Sequence, residues 1–330
     1  MKEVAEEYKS EKAIAVIMNP KTGEIYALAQ YPTFDLNNYT DVDPENYKNL
    51  GISFIYEPGS TFKIVNISSA LENKRVNTSQ VFHLSPSIKV GDRVIEEIDR
   101  TYGVDYQLKD IIKYSSNIGA VTVALSMGDK LYYDSMIKYG FGNYTGVNIL
   151  GEEKGTVADY KTWPASAIGA IAIGQGIAVT PLQLVRAVSV IANGGYLVSP
   201  FVVSETKSAN GTIEKKQVES SQILSSQTAQ EVKDMMLSVV EDGTGKQAKI
   251  EGIKVCGKTG TAQKVNKNSI GYAEGLVITS FVGFAPYDNP EVACIVIIDE
   301  PKGNEKEIWG GTVAAPVFSD LVNFALNKIH

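Results

Sequence analysis

Ser60 and Lys63 stand three residues apart behind a Pro58-Gly59 break, a spacing that puts a hydroxyl and an amine side by side on one helix face. The segment from Ser60 to about Glu72 carries Phe62, Ile64, Val65, Ile67, Ala70 and Leu71, crowded enough for a largely buried helix. A serine at a helix start is ordinarily a cap, and a lysine one turn on is ordinarily a solvated charge. Burial strains the second reading. An ammonium wedged among apolar neighbours, near the positive end of a helix dipole, loses its proton easily. A neutral amine beside a hydroxyl is a base beside its nucleophile. On this stretch alone both readings stand.

Two later stretches have the same double character. Tyr114-Ser115-Ser116-Asn117 interrupts a helical pattern that starts at Gln107 and resumes from about Ile118 to Ser126. It is either a plain connector or a fixed junction presenting Ser115 and Asn117. Gly257-Lys258-Thr259-Gly260-Thr261 lies in the strand-like run Ile253 to Ala262. Its lysine is either an edge charge or, with Gly260 beside it, part of an edge strand that receives an extended peptide and holds a carboxylate. Other chemistries fit poorly. The chain has two histidines, one of them the last residue, so a serine triad would have to use His83 beside the Leu84-Ser85-Pro86 turn. Two cysteines and two histidines without ligand spacing make no zinc site. Gly174-Gln175-Gly176 lacks the Gly-Lys-Ser/Thr ending of a phosphate loop.

The elements that must position these residues are legible in outline. Ala13 to Met18 and Glu24 to Gln30 read as a hairpin around Asn19-Pro20-Lys21-Thr22-Gly23. Ser79 to Tyr106 reads as loops and short strands, Lys130 to Tyr139 and Pro181 to Asn193 as helices, and Phe201 to Glu219 as a polar hairpin turning at Asn210-Gly211. A helix over Ser226 to Glu241 is followed by strands over Ile253 to Ala262, Leu276 to Ala285 and Val292 to Ile298, then a helix over Thr312 to Lys328. Strands at both ends with helices between predict one sheet built from the two termini and a helical insertion. At 330 residues the chain can bury one large core or two modest ones, and a net charge of −7 without long runs gives no reason to expect nucleic acid. No apolar run approaches a membrane span, and Met1 to Lys12 is too polar for a signal peptide. Cys256 and Cys294 sit in apolar runs and read as small buried hydrophobes.

Taken together, Ser60-x-x-Lys63, Ser115-Ser116-Asn117 and Lys258-Thr259-Gly260, in that order, resemble the transpeptidase domain of a class B penicillin-binding protein. The resemblance extends to Thr180-Pro181-Leu182-Gln183, Gly243-Thr244-Gly245 and Phe281-Val282-Gly283-Phe284-Ala285-Pro286, and so covers nearly the whole chain, with the septal or sporulation branch closest. It implies an α+β fold: a five-stranded antiparallel sheet sandwiched by helices, with an inserted all-α subdomain. Residues 1–330 would be a single transpeptidase domain, the sheet subdomain taking about 12–60 and 226–330 and the helical subdomain about 61–225. The full-length protein is expected to add an N-terminal membrane anchor and a pedestal domain, which would make this chain a soluble fragment of a protein at the extracytoplasmic face of the cell membrane.

The resemblance also implies roles. Ser60 attacks the penultimate D-Ala carbonyl of a stem peptide. Lys63, held neutral by burial and by the charge of Lys258, takes its proton. Ser115 relays a proton to the departing D-Ala, and Asn117 bonds the substrate amide and orients Lys63. Backbone N–H groups of Ser60 and Thr261 form the oxyanion hole. Lys258, Thr259 and Thr261 receive the terminal carboxylate, with Ser116 and Gly260 as further substrate contacts. The expected partners are D-Ala-D-Ala donor and amine acceptor stem peptides, β-lactams as covalent inhibitors, and a membrane glycosyltransferase; no cofactor or metal is called for. Two rivals share the motifs: a serine β-lactamase or sensor domain, for which Glu152 and Glu153 lie in roughly the interval of a deacylating base, and an inactive scaffold. Cys256 and Cys294 would flank an intervening strand, too far apart for a disulfide. The polar segment Gln263 to Glu274 is expected as a loop bordering the groove, either a lid or a plain hairpin tip.

Overall fold

A computed structural model describes residues 1–40, 42–98, 100–266, 271–304 and 307–329. Among them, five antiparallel strands form the central sheet: β1 (Lys12–Met18), β2 (Ile25–Tyr31), β3 (Cys256–Val265), β4 (Tyr272–Ala285) and β5 (Val292–Asp299), in the order β3-β4-β5-β1-β2. The N-terminal hairpin joins the C-terminal meander through β1 and β5, paired from Lys12↔Asp299 to Met18↔Ala293.

Both faces of this sheet are buried, which is why β1 and β5 read as unbroken apolar runs rather than alternating ones. Ile14, Val16, Met18, Ala293, Ile295 and Ile297 point into the larger core. Ala13, Ala15, Ile17, Cys294, Val296 and Ile298 point the other way, onto two terminal helices. These are α1 (Lys2–Glu7), which the polar N-terminus did not announce but which buries Val4 and Ala5, and α9 (Ala315–Ile329), entered through a wide turn over Gly310–Ala314. Order and face decide the cysteines. β4 separates Cys256 from Cys294, the two side chains enter opposite cores, and both are free thiols.

The larger core is filled by α2 (Lys63–Glu72), α3 (Leu108–Lys113), α4 (Asn117–Met127), α5 (Asp129–Lys138), α6 (Ala167–Ala172), α7 (Pro181–Ala192) and α8 (Ser226–Glu241). One boundary differs from the sequence reading. α7, expected within the helical insertion, lies directly on β1, β4 and β5, because nearly its whole surface is apolar. Thr180-Pro181-Leu182-Gln183 is its start: the Thr180 hydroxyl accepts from the Gln183 N–H and the Gln183 side chain accepts from the Thr180 N–H. In the polar stretch Gln263 to Glu274, β3 and β4 extend from both sides and pair at Val265↔Tyr272, so the described ends of the expected loop are strand. Lys267, Asn268, Ser269 and Ile270, the centre of the expected loop, lie outside the described residues.

Candidate active site

Ser60 sits in a 3₁₀ turn, Gly59–Phe62, that leads straight into α2. Pro58 and Gly59 set this turn: the Gly59 N–H donates to Gly174 O at 3.1 Å and Thr61 Oγ1 donates to Pro58 O at 2.7 Å. Gly174 has φ +78°, and a Cβ on it would lie 2.1 Å from Gly59 O, so only glycine lets this loop back the nucleophile turn. Gly176 continues the support by donating its N–H to Glu57 Oε1 at 2.8 Å. The Gly174-Gln175-Gly176 motif is thus a brace for Ser60.

Lys63 is the first residue of α2 and is fully buried. Its amine donates to Ser115 O at 2.6 Å, to Asn117 Oδ1 at 2.7 Å and, longer, to Ser115 Oγ at 3.3 Å. Lys258, also fully buried, reaches the same hydroxyl from β3, with Nζ 2.9 Å from Ser115 Oγ. One serine hydroxyl therefore lies between two buried amines. Ser115 holds this place in a left-handed conformation, φ +60°, that a serine keeps only where its surroundings enforce it.

Two lysines buried together cannot both stay charged. Burial pushes Lys63 down to about 7, against the pull of the Glu97 carboxylate. Lys258 is pushed well below its ordinary value, first by burial and then by the charge of Lys63. Burial therefore favours the neutral amine at both lysines, their like charges oppose one another, and the Glu97 carboxylate pulls Lys63 the other way.

The cleft has two lobes, about 560 and 420 Å³, that meet at Ser60 and Thr261 between Ile98 and Trp309. Ser115 and Thr259 line the larger lobe and Asn117 the smaller. β3 is an edge strand whose Gly260 lets it approach the nucleophile turn: a Cβ there would meet Thr61 Cγ2 at 2.9 Å and Ser280 Oγ at 2.4 Å. Thr259 Oγ1 shares a 2.9 Å hydrogen bond with Thr244 Oγ1, and Thr261 Oγ1 accepts from the Gly310 N–H at 3.1 Å. Seven of the residues singled out in the sequence thus converge: Ser60, Lys63, Ser115, Asn117, Lys258, Thr259 and Thr261, with Gly260 as their spacer.

Over residues 13–323 the chain matches the penicillin binding protein transpeptidase domain. It belongs to that family. It is 36% identical over 333 residues to stage V sporulation protein D of Bacillus subtilis, covering 98% of this chain and 50% of that protein. It is 33% identical over 324 residues to peptidoglycan D,D-transpeptidase FtsI of Buchnera aphidicola, covering 98% and 54%. The crystal structure of penicillin binding protein 3 from Mycobacterium tuberculosis in complex with aztreonam superposes with a TM-score of 0.91 at 29% identity, over 99% of this chain and 75% of that one. The chain spans about half the length of the curated relatives it matches.

Ser116, read as a substrate contact, lines the larger lobe and is also tied into the protein: its hydroxyl donates to Glu97 and accepts from the Gly119 N–H at 3.0 Å, making it the N-cap of α4. Several cleft residues were missed, Glu97, Ile98, Arg100 and Trp309 among them. Glu97 and Ile98 lie in the stretch read only as loops and short strands, and Trp309 precedes the wide turn into α9. No local spacing marks them; their partners come from distant parts of the chain. The lactamase candidates fall outside the cleft. Glu152 accepts from the Thr145 N–H, the Glu153 N–H donates to Ile52 O, and neither residue lines a lobe. Among the described residues Glu97 is the one carboxylate in the lining, and its oxygens are occupied by Ser116, Asn117, Ile118 and Arg100.

Proposed function

We propose that this domain is a peptidoglycan D,D-transpeptidase that cross-links stem peptides through a Ser60 acyl-enzyme and is acylated by β-lactams in the same way. The observation that carries the reading is the buried relay Lys63–Ser115–Lys258 beside an exposed-side nucleophile. Lys63, half neutral near pH 7, accepts the Ser60 proton as the oxygen attacks the donor carbonyl. Ser115, touched by both amines, delivers a proton to the departing D-Ala amine. The acyl oxygen sits between the backbone N–H groups of Ser60 and Thr261, each worth roughly 3–4 kcal/mol to such a transition state. Thr259, Thr261 and Lys258 receive the terminal carboxylate, and Asn117 bonds the peptide amide. The two lobes meeting at Ser60 suit two peptides, a donor that leaves its acyl group and an acceptor whose amine collects it. In the full-length protein the domain works at the extracytoplasmic face of the membrane, tethered by an anchor and partnered by a glycosyltransferase.

Among the described residues no unengaged carboxylate lines the cleft to drive water onto the ester, which supports this reading over a β-lactamase. A penicilloyl half-life of about an hour corresponds to a barrier of roughly 22–23 kcal/mol, while a lactamase turning over near 10 per second needs about 16. Intact mass spectrometry through a penicillin time course tests both points. One adduct per chain, mapping to Ser60, absent from Ser60→Ala and persisting for tens of minutes, is expected. Clearance of a molar excess of penicillin within minutes would make the domain a lactamase.

A further inference from the structure

The carboxylate of Glu97 lies in the wall of the cleft, yet every contact it makes is to the protein. Oε1 accepts from the Ser116 hydroxyl and from the Ile118 N–H at 3.1 Å; Oε2 accepts from the Asn117 N–H at 3.0 Å. These are the cap and the first two residues of α4, where free N–H groups and the helix dipole favour a negative charge. Arg100 holds the carboxylate from the other side, NH2 to Oε1 at 3.0 Å, with both side chains under 10% exposed. The neighbouring Glu96 O accepts from Asn117 Nδ2 at 3.2 Å, which fixes the rotation of the Asn117 amide so that Oδ1 faces Lys63. Ser115, left-handed and immediately before this bracket, supplies the second strong acceptor for Lys63.

We propose that Glu97 is the positioning residue for acylation: with Arg100 it clamps the 115–118 junction so that Ser115 and Asn117 present the Lys63 amine to the nucleophile. This rests on the Ser60 acyl-enzyme reading and adds to it a residue that touches neither substrate nor reacting atom. The charged groups facing Lys63 are Glu97 from the end of the strand Arg93–Glu96 and Lys258 from β3, with Arg100 paired to Glu97. Glu97 therefore has a second, electrostatic effect that a purely structural cap lacks. Its charge favours the ammonium form of Lys63, so removing that charge makes the amine easier to deprotonate.

The test measures the second-order rate of acylation by a fluorescent penicillin from pH 5.5 to 9 for the wild type, Glu97→Gln and Glu97→Asp, with thermal melts of each. Glu97→Gln keeps the size but turns one acceptor oxygen into an NH₂ facing the Asn117 or Ile118 N–H. A rate loss of about 10- to 100-fold is expected from the displaced junction, with the acid limb of the profile moved to lower pH. Glu97→Asp retains the charge on a shorter arm, so the rate falls while the limb stays in place. Glu72→Gln is the control. Glu72 caps α8 in the same manner, through Ser225 and Thr228, well away from the lobes, and its loss is expected to lower the melting temperature without moving rate or limb. If Glu97→Gln does not fold, Arg100→Gln, which leaves the carboxylate but frees it, is expected to slow acylation several-fold with the limb at its wild-type position or above it, never below. Glu97→Gln at wild-type rate with an unmoved limb, or Arg100→Gln at wild-type rate, overturns the proposal. A wild type that is never labelled on Ser60 overturns the underlying reading instead.

Discussion

Lowering the pH from 8 to 5.5 should slow acylation of the wild type about 30-fold, and the number follows from one buried amine. Lys63 acts as a base only when neutral, and burial sets its pKa at about 7. The neutral fraction is then about nine-tenths at pH 8, half at pH 7, one-tenth at pH 6 and three-hundredths at pH 5.5. Among the described residues the one histidine, His83, has an exposed side chain held against Asp105 at 2.6 Å, so the limb is expected to follow Lys63. The same shift makes a stability statement. In the unfolded chain Lys63 titrates near its ordinary 10.5, so between about pH 7 and 10.5 the unfolded state binds more protons, and the fold gains stability as pH rises. Relative to Lys63→Met, the wild type should gain about 1.4 kcal/mol per pH unit across that window. Labelling rates with a fluorescent penicillin and urea melts of both proteins read the two effects. A rate that is flat between pH 5.5 and 8.5, or that rises toward acid, would mean that Lys63 is not the base that activates Ser60.

Three further outcomes follow from the geometry. Gly174→Ala must place a methyl 2.1 Å from Gly59 O at φ +78°, so it should cost at least about 2 kcal/mol and remove penicillin labelling in the fraction that stays folded, read by melts and gel fluorescence together. Phe318→Ala empties the far core, where the ring packs tilted against Phe281 with centroids 4.7 Å apart; about 3–5 kcal/mol of stability should go while the folded protein acylates at its normal rate, and a slowed rate would show that the two sheet faces are coupled. Cys256 and Cys294, both pushed up by burial, should resist a thiol reagent in the native protein and react as two thiols on unfolding; a mass two units low under non-reducing denaturation would contradict the sheet order.

The sequence by itself determined the chemistry and the frame. Ser60, Lys63, Ser115, Asn117 and Lys258 were identifiable because three short patterns, each ambiguous alone, occur in an order that resembles one family, and the apolar runs at both ends announced a sheet closed by the termini. The strand order that keeps the two cysteines apart was implied by the family resemblance. Tertiary structure decided what depends on distant partners. Ser116 looks equivalent to Ser115 in the chain, but Ser115, at φ +60°, sets its hydroxyl between the Lys63 and Lys258 amines, while the Ser116 hydroxyl caps α4. Glu97, Arg100 and Trp309 carry no local signal, because a carboxylate 20 residues from Asn117 acquires its role only when two segments fold together. That both Lys63 and Lys258 are shifted toward the neutral amine was beyond the sequence for the same reason: it depends on how completely the fold encloses each one.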